Sequence, residues 1–426
     1  MSPSRRVGSF IAGGVVIQAA SAVAGLILAR AMPVDGYAVY TVAMTVIGAI
    51  WVITRSGIQT AFAAELGKVW PDRSEAAAAL SAALRSRLWI SALTMPPILA
   101  ASVYLLRQAG SQGWELWACA AILLLLWAAD LRASLFDLVL YFDQQTGTVR
   151  LLDSVLAILR MFAVLALAAV QVVTLVPALL TTLFVTAGRV PLLQRRSRQL
   201  LGPELPAPDA ALTRMVTRVA GRQVPTDVFF CFQSQLVLFY LAQAGSFELA
   251  TYGALGRIAQ LLAPFSTLTL AFFVPAFAGV VDRALPRMTG YVLLSSLPAL
   301  ALLGLALAAP QALLLVIGPA YAGRGAALAF CALGTTITLV AQCAWDLVSH
   351  RGWNEWSWLR IAWGVVWALG APLLLPVHSA GGAYLFYAGF AAGMIVAAAM
   401  GLIGAQRRGE IALLGPRGGV AAVSAS

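Results

Sequence analysis

Two arginines inside apolar stretches are the residues of this sequence best suited to hold an anion. Arg55 lies in the second long apolar stretch and Arg257 in the eighth, and neither has an acidic residue within one or two helical turns on its own helix. A guanidinium binds phosphate through paired, charge-assisted hydrogen bonds. If both arginines face one cavity, they form a cationic site. Snorkelling to the membrane surface, or packing, is the alternative for each.

Further ionisable residues lie in apolar stretches, where an unpaired charge is costly. Asp130 and Arg132 lie in the fourth stretch and Arg160 in the fifth, and at about 1.5 Å per residue Asp130 and Arg160 reach a similar depth. They form either a structural ion pair or part of a substrate path. In the seventh stretch, Asp227 can pair with Arg222, five residues earlier, or accept a coupling proton or Na⁺.

Polar residues and prolines complete the candidates within these stretches. Gln233 and Gln235 lie at the centre of the seventh stretch, where amides line a cavity or bond between helices. The aspartates nearest the loops, at 137, 143 and 153, are explained by snorkelling or loop contacts. Pro96–Pro97 and Pro264 are expected to kink or break the third and eighth helices. The Gly389/Gly393 pair in the last stretch indicates close helix packing.

The composition shows what kind of element must position these residues. The chain has 426 residues, of which 61% are hydrophobic and 11% are charged, against about 25% charged in an ordinary soluble protein. Because a membrane span needs about 20 apolar residues, we predict an all-α polytopic membrane protein with twelve transmembrane helices. The predicted spans are 8–29, 37–64, 88–106, 114–141, 151–170, 173–193, 219–243, 250–280, 291–309, 325–346, 358–377 and 381–405. A bent helix near Gln171, instead of a break, would give eleven.

The arginines of the connecting loops predict the topology. Nearly all of them lie on one side of the twelve spans, which places both termini and the central loop in the cytoplasm. We therefore predict a six-helix lobe at 1–193, a basic cytoplasmic linker at 194–218, a second six-helix lobe at 219–405 and a disordered tail at 406–426. Residues 74–87, which begin at a capping serine, are expected to form a helix along the cytoplasmic surface.

Several kinds of function are disfavoured by the sequence. The basic charge lies in short loops between spans, so no nucleic-acid partner is expected. The four cysteines are isolated in apolar stretches, without metal-ligand spacing, and we expect no disulfide, metal or cofactor. The sequence has no glycine-rich phosphate loop. The outer loops are short, which argues against membrane polymerases and ligases.

A short motif occurs twice at equivalent places. The sequence Leu-Ala-Arg-Ala at 28–31 is followed by Asp35 and by Ala-Val-Tyr at 38–40, and Leu-Ala-Gln-Ala at 241–244 is followed by Glu248 and by Ala-Thr-Tyr at 250–252. Each copy ends one apolar stretch and enters the next. The repeat indicates two related halves with the functional site between them.

This motif resembles the first-loop pattern of bacterial polysaccharide flippases, including O-antigen flippases, of the multidrug/oligosaccharidyl-lipid/polysaccharide exporter superfamily. Residues 222–262 resemble the start of that family's second half, where a proline (Pro225) opens the seventh span and a Gly-x-Tyr-like entry leads to an arginine (Arg257) in the eighth. Many relatives carry glycine where this chain has Ala38 and Ala250. Gln235 stands near the position of an acidic residue that is common in the seventh span.

The resemblance implies two pseudo-symmetric six-helix lobes around a central cavity that opens to each side of the bacterial inner membrane in turn. It implies a transporter, not an enzyme, whose substrate is an oligosaccharide linked through pyrophosphate to a polyprenyl lipid. Arg55, Arg257, Gln233 and Gln235 would then line the cavity, and the lipid tail would stay among membrane lipids. Coupling to H⁺ or Na⁺ and partners in a glycan-assembly complex are further expectations.

Three other functions remain open on the sequence alone. A multidrug or cation exporter of the same superfamily would use buried acids such as Asp130 and Asp227. A polysaccharide polymerase or ligase would need a longer outer loop than this chain has. A scaffold without transport activity in a glycan-assembly complex is the third.

Overall fold

The computed structural model describes residues 3–55 and 57–415, apart from the side chains of residues 3–11, 222, 223, 225, 226, 267, 268 and 271. The described residues form helices joined by short turns and contain no β-strand. The all-α polytopic fold predicted from composition is thus confirmed. The chain divides into two compact units, Met1–Ala254 and Leu255–Ser426.

The described residues of unit 1, as we call residues 1–254, form eight helices and the first part of a ninth. They are α1 (Pro3–Ala31), α2 (Val34–Arg55), α3 (Ile58–Val69), α4 (Arg73–Gln108), α5 (Gly113–Phe142), α6 (Thr146–Ala169), α7 (Leu175–Leu201), α8 (Ala210–Ala244) and α9 (Ser246–Gln260). Within the unit, α1 packs on α6, α5 on α7 and α4 on α8.

Unit 2 comprises residues 255–426, and its residues up to 415, which the structure describes, form the end of α9 and eight further helices. They are α10 (Ala263–Leu268), α11 (Val274–Ala278), α12 (Ala284–Ala308), α13 (Pro310–Ile317), α14 (Gly325–Ser349), α15 (Trp358–Leu374), α16 (Ala380–Gly389) and α17 (Ala391–Arg407). Here α14 lies against α12, α16 and α17, and α15 packs on α17.

Every predicted span overlaps one helix or a run of shorter helices, and the count of twelve spans stays a prediction. Nine helices or helix pairs among the described residues are long and apolar enough to cross a membrane, and α15 is a shorter apolar helix. The break predicted near Gln171 is present: α6 ends at Ala169, α7 begins at Leu175, and Gln171 has a left-handed backbone with φ of 56°. The fifth and sixth spans are therefore separate helices.

The helix expected along the cytoplasmic surface at 74–87 is instead the first part of α4, which runs unbroken to Gln108 through both prolines. Its cap is Asp72, whose carboxylate accepts hydrogen bonds from the amides of Ser74 and Glu75. The small buried side chains of this part pack against α8. That packing, which a single-helix pattern does not reveal, keeps α4 continuous.

The connection between the two predicted lobes is shorter than expected. α7 continues to Leu201 and α8 begins at Ala210, which leaves only residues 202–209 outside helices. Asp209 caps α8 through the amides of Ala211 and Leu212. The compact units divide within α9, not in this connection. The lobe boundaries at 193 and 219 therefore remain predictions.

The predicted eighth span is interrupted at the place where proline was expected to break it. α9 ends at Gln260, α10 begins at Ala263 with Pro264 in its first turn, and residues Thr269–Phe273 form a π-helical turn before α11. Such wide turns often occur at functional places in helices. This span therefore consists of short segments, unlike the continuous α4.

Two features stabilise unit 2 near its end. Gly389 and Gly393 receive the indole rings of Trp367 and Trp363, so the glycine pair serves close packing as predicted. Residues 410–415 are ordered: the amide of Ala412 donates to the carbonyl of Val281, and the amides of residues 283–285 donate back to this segment. The disorder predicted for 406–426 is therefore wrong for residues 406–415, of which the first two belong to α17, and residues 416–426 lie outside the described residues.

Candidate functional site

A charged cavity of about 480 Å³ lies inside unit 1, among the first six predicted spans. Four arginines and three aspartates line it, together with apolar and hydroxyl side chains from α1, α2, α5, α6 and α7. The charged lining residues are Arg55, Asp130, Asp137, Arg150, Asp153, Arg160 and Arg189. Such a concentration of charge within membrane-spanning helices marks the cavity as the candidate functional site.

The deeper part of the cavity is built on one carboxylate between two guanidiniums. Arg55 of α2 reaches Asp130 of α5 with 2.5 Å between Nη2 and Oδ1, and its Nε donates to Oδ2 at 3.3 Å. Arg87 of α4 donates from Nη2 to the same Oδ2 at 2.6 Å. Arg87 is 1% exposed and Asp130 3%, whereas Arg55 is 35% exposed. The pair of arginines leaves one positive charge that Asp130 does not neutralise.

Arg87 is fixed by backbone and hydroxyl oxygens as well. Its Nε donates to the carbonyl of Thr54 at 3.0 Å and its Nη1 to the carbonyl of Leu131 at 3.0 Å and to the hydroxyl of Ser134. These bonds join α4 to α2 and α5. Arg87 does not itself line the cavity, but it holds Asp130 in place in the cavity wall. Asp130 in turn orients Arg55 towards the cavity.

Nearer the arginine-rich ends of the helices, one arginine bridges two aspartates. Arg189 of α7 approaches Asp137 of α5 at 2.9 Å and Asp153 of α6 at 2.6 Å. At about 1.5 Å per residue, Asp137 and Asp153 lie roughly two helical turns closer to the α5–α6 loop than Asp130 and Arg160 do. The explanation by snorkelling or loop contacts was therefore wrong for these two aspartates, because they pair across helices.

Arg160 occupies the deeper part of the cavity without a carboxylate of its own. Its Nη2 donates to the phenol oxygen of Tyr40 at 3.0 Å. Among the described residues no carboxylate lies within 4.0 Å of its guanidinium. Tyr40, which is fully buried, belongs to the repeated Ala-Val-Tyr motif. A tyrosine of this motif thus accepts a hydrogen bond from Arg160, an arginine that lines the cavity.

The structure corrects the pairing expected from sequence. Asp130 and Arg160 both line the cavity, but Asp130 pairs with Arg55 and Arg87. Arg55 was expected to lack an acidic partner because none lies near it on its own helix. Its partner comes from α5, 75 residues further along the chain. Arg132 is exposed and does not line the cavity.

The predicted polar residues of α8 lie elsewhere in unit 1. Gln233 is buried at 6% exposure. Gln235 lines a second cavity of about 450 Å³, between α2, α4 and α8, whose other lining residues are almost all apolar. Neither polar atom of its amide has a hydrogen-bond partner among the described residues. The side chain of Arg222 lies outside the described residues, so its pairing with Asp227 stays a prediction.

Arg257 belongs to unit 2, where its Nη1 donates to the Gln260 side chain at 3.1 Å. Arg55 belongs to unit 1, and a cavity shared by the two arginines therefore remains a prediction.

Sequence reasoning missed four residues of the site: Arg87, Arg150, Arg189 and Tyr40. Arg150 was counted only among the loop arginines. Arg189 falls within the predicted sixth span, so a search for every charge inside a span would have found it. Arg87 was assigned to a surface helix, and its burial depends on the packing of α4. Tyr40 was noted only as part of the repeat, and no sequence signal links it to Arg160.

No protein-family model matches this sequence, and no curated protein matches it significantly. Solved structures do match its fold. A multidrug resistance MATE family transporter of the MOP superfamily, in an inward-facing conformation, matches with a TM-score of 0.64 at 16% identity, over 91% of this chain and 93% of that chain. The lipid II flippase MurJ, in an inward closed conformation, matches with a TM-score of 0.68 at 10% identity, over 93% of this chain and 87% of that chain.

A third match is a MOP superfamily transporter from Pyrococcus furiosus, with a TM-score of 0.61 at 14% identity, over 95% of this chain and 94% of that chain. An outward-facing MATE family transporter also matches. The structural neighbours thus include MATE family and other MOP superfamily transporters and the lipid II flippase MurJ. At these identities the likeness shows the fold: the chain has the polytopic helical fold of these proteins.

Proposed function

We propose that this chain is a flippase that moves a polyprenyl-pyrophosphate-linked oligosaccharide across the bacterial inner membrane for surface polysaccharide synthesis. The observation that carries the proposal is the excess of arginine in the charged cavity of unit 1. Four arginines against three aspartates line it, and Arg87 adds a further positive charge behind Asp130. An anionic substrate group is the natural occupant of such a surface.

Arg55 and Arg160 are the residues we assign to the pyrophosphate. Arg55 shares its carboxylate partner with Arg87, and Arg160 bonds only to a neutral phenol among the described residues. Both guanidiniums therefore keep hydrogen-bonding capacity and charge for a phosphate group. Arg257 of unit 2 is proposed as a third ligand, and Gln233 and Gln235 as polar contacts for the rest of the substrate.

The fold supports movement of this cavity between the two sides of the membrane. MATE transporters with this fold have been solved facing inward and facing outward, and MurJ is a lipid II flippase. We propose the same alternating access here, with both termini in the cytoplasm. A coupling ion, H⁺ or Na⁺, and partners in glycan assembly belong to the same proposal.

A second candidate is a multidrug or cation exporter. The three carboxylates in the charged cavity favour it, because cationic substrates need acidic contacts. All three are already bonded to arginine, however: Asp130 to Arg55 and Arg87, and the other two to Arg189. We therefore place this function second.

The test is complementation of a bacterial strain that lacks its polysaccharide flippase, with surface glycan as the readout. Arg55→Gln, Arg160→Gln and Arg257→Ala should each lower surface glycan roughly tenfold or more at equal protein level, because each removes a charge-assisted bond. Arg132→Gln is the matched control, since it removes an exposed arginine outside the cavity and should leave rescue unchanged.

Two results would decide against the proposal. Full rescue by both Arg55→Gln and Arg160→Gln would show that the charged cavity does not bind the substrate. Absence of rescue by well-expressed wild type across several glycan types, together with drug resistance in an efflux-deficient strain, would favour the exporter.

A further inference from the structure

A second basic site lies in unit 1, at the arginine-rich ends of α6 and α7. It is a cavity of about 500 Å³ between the start of α6 and the end of α7. Its inner wall is apolar and includes Leu140, Val149 and Leu193, all three buried. Arg195 and Arg196 also line it and are exposed. None of these residues lines the charged cavity.

Among the described residues, the two arginines have no acidic partner that would neutralise them. No carboxylate of the described residues forms a salt bridge with Arg195 or Arg196. A neighbouring groove of α7 brings Arg198 to the same surface, beside Arg195. The positive charge along this side of α7 is therefore available to a ligand.

The start of α6 adds positive electrostatic potential and a hydroxyl group to the site. α6 begins without a side-chain cap and has no acidic residue in its first turn. The side chain of Gln145, which precedes it, donates instead to Asp143 at 2.8 Å. The amides of Thr148 and Val149 donate to the carbonyl of Gln145, and the N-terminal end of a helix carries partial positive charge. Thr148, in this first turn, lines the cavity.

The arrangement combines an anion site with an apolar wall at the end of membrane-spanning helices. Arginines and the positive end of a helix suit a phosphate group, and the leucine and valine side chains suit a hydrocarbon chain. Basic pockets between transmembrane helices on the cytoplasmic side are suited to anionic lipid headgroups. A soluble anion would gain nothing from the apolar wall.

We propose that this cavity binds an anionic phospholipid of the leaflet on the arginine-rich side of the membrane. The headgroup phosphate lies between Arg195, Arg196 and the start of α6, and one acyl chain covers the apolar wall. The bound lipid bridges α6 and α7, two helices that also carry Asp153, Arg160 and Arg189 of the charged cavity. The proposal does not depend on the transported substrate.

The experiment is native mass spectrometry of the full chain in detergent, titrated with phosphatidylglycerol or with phosphatidylcholine of the same acyl chains. We expect wild type to bind the anionic lipid preferentially. Arg195→Gln/Arg196→Gln should weaken phosphatidylglycerol binding roughly 10- to 30-fold and remove the preference. The matched control is Arg214→Gln/Arg218→Gln, which removes two exposed arginines of α8 and should change binding less than about twofold.

A second variant tests the apolar wall. Leu192 lines the cavity and is half-exposed. The variant Leu192→Gln should bind both lipids more weakly, because a polar side chain then faces the acyl chain. Two results would overturn the proposal. If the two double arginine variants lose phosphatidylglycerol affinity equally, the lipid binds to a diffuse positive surface. If glycerophosphoglycerol binds as tightly as the lipid, the cavity is a site for a soluble anion.

Discussion

Asp130 is the residue whose replacement tests the buried charge network of unit 1 most directly. In Asp130→Asn, the carboxylate shared by Arg55 and Arg87 becomes a neutral amide of nearly the same size. Arg55 is 35% exposed and can be hydrated in the cavity, whereas Arg87 is 1% exposed and would keep its charge without a counter-ion. Removing one partner of a buried ion pair costs about 3–5 kcal/mol.

The assay is thermal unfolding of the purified protein in detergent. At about 2 °C per kcal/mol for a unit of this size, the midpoint of unit 1 should fall by roughly 6–10 °C. Asp153→Asn is the matched control, because Asp153 is less buried and its partner Arg189 keeps Asp137. The unfolding midpoint of Asp153→Asn should fall by less than half as much as that of Asp130→Asn.

A double variant separates the charge from the other bonds of Arg87. Arg87→Met/Asp130→Leu removes the buried pair together and should recover most of the loss, because apolar side chains often replace buried ion pairs without cost. If the double variant is as unstable as Asp130→Asn, the uncompensated charge is not the cause. The bonds of Arg87 to the carbonyls of Thr54 and Leu131 would then account for the stability.

Two further predictions concern close packing and helix capping. In Gly389→Ala, the new methyl would lie 2.1 Å from the Trp367 ring. The thermal unfolding midpoint should therefore fall by the equivalent of about 1–3 kcal/mol. Gly370→Ala is the control and should not lower the midpoint, because no atom lies within 4 Å of the new methyl. Hydrogen bonds from Ser74 and the next amide lower the pKa of Asp72. Its cap on α4 is therefore fully present above the ordinary carboxyl pKa of about 4 and is lost as the pH falls through the lowered value. Hydrogen exchange at the start of α4, corrected for intrinsic rates, should show this acid loss in wild type and not in Asp72→Asn, and an identical profile in both would contradict it.

The positions of the helices were predictable because they depend on local properties. Apolar stretches of about 20 residues locate membrane helices, and they are interrupted near Gln171 and near Pro264 as predicted. The extension of α4 before residue 88 was not predictable in this way. Its alanine-rich part is stabilised by contact with α8, which follows more than 100 residues later.

The pairing inside the charged cavity was less accessible to sequence reasoning. A sequence shows which charges share a helix, but the rotation of each helix decides which charges meet. Arg55 therefore looked unpaired although Asp130 lies 2.5 Å away on α5. Likewise, Asp137 and Asp153 looked like loop-proximal residues until α7 brought Arg189 between them.

The length of α4 has a mechanical consequence. Its 36 residues span about 54 Å, against about 30 Å for the hydrocarbon core of a bilayer. Its first part, outside the predicted span, is attached to the α7–α8 connection and to α8, where Ser81 donates to the carbonyl of Pro206 and Ser86 to that of Thr213. A tilt of about 10° at the helix centre would move each end by roughly 5 Å. A small rotation of this helix therefore produces a large displacement at its ends. The distance from a spin label near Arg73 to a second label in unit 1 would report rearrangements around Arg87.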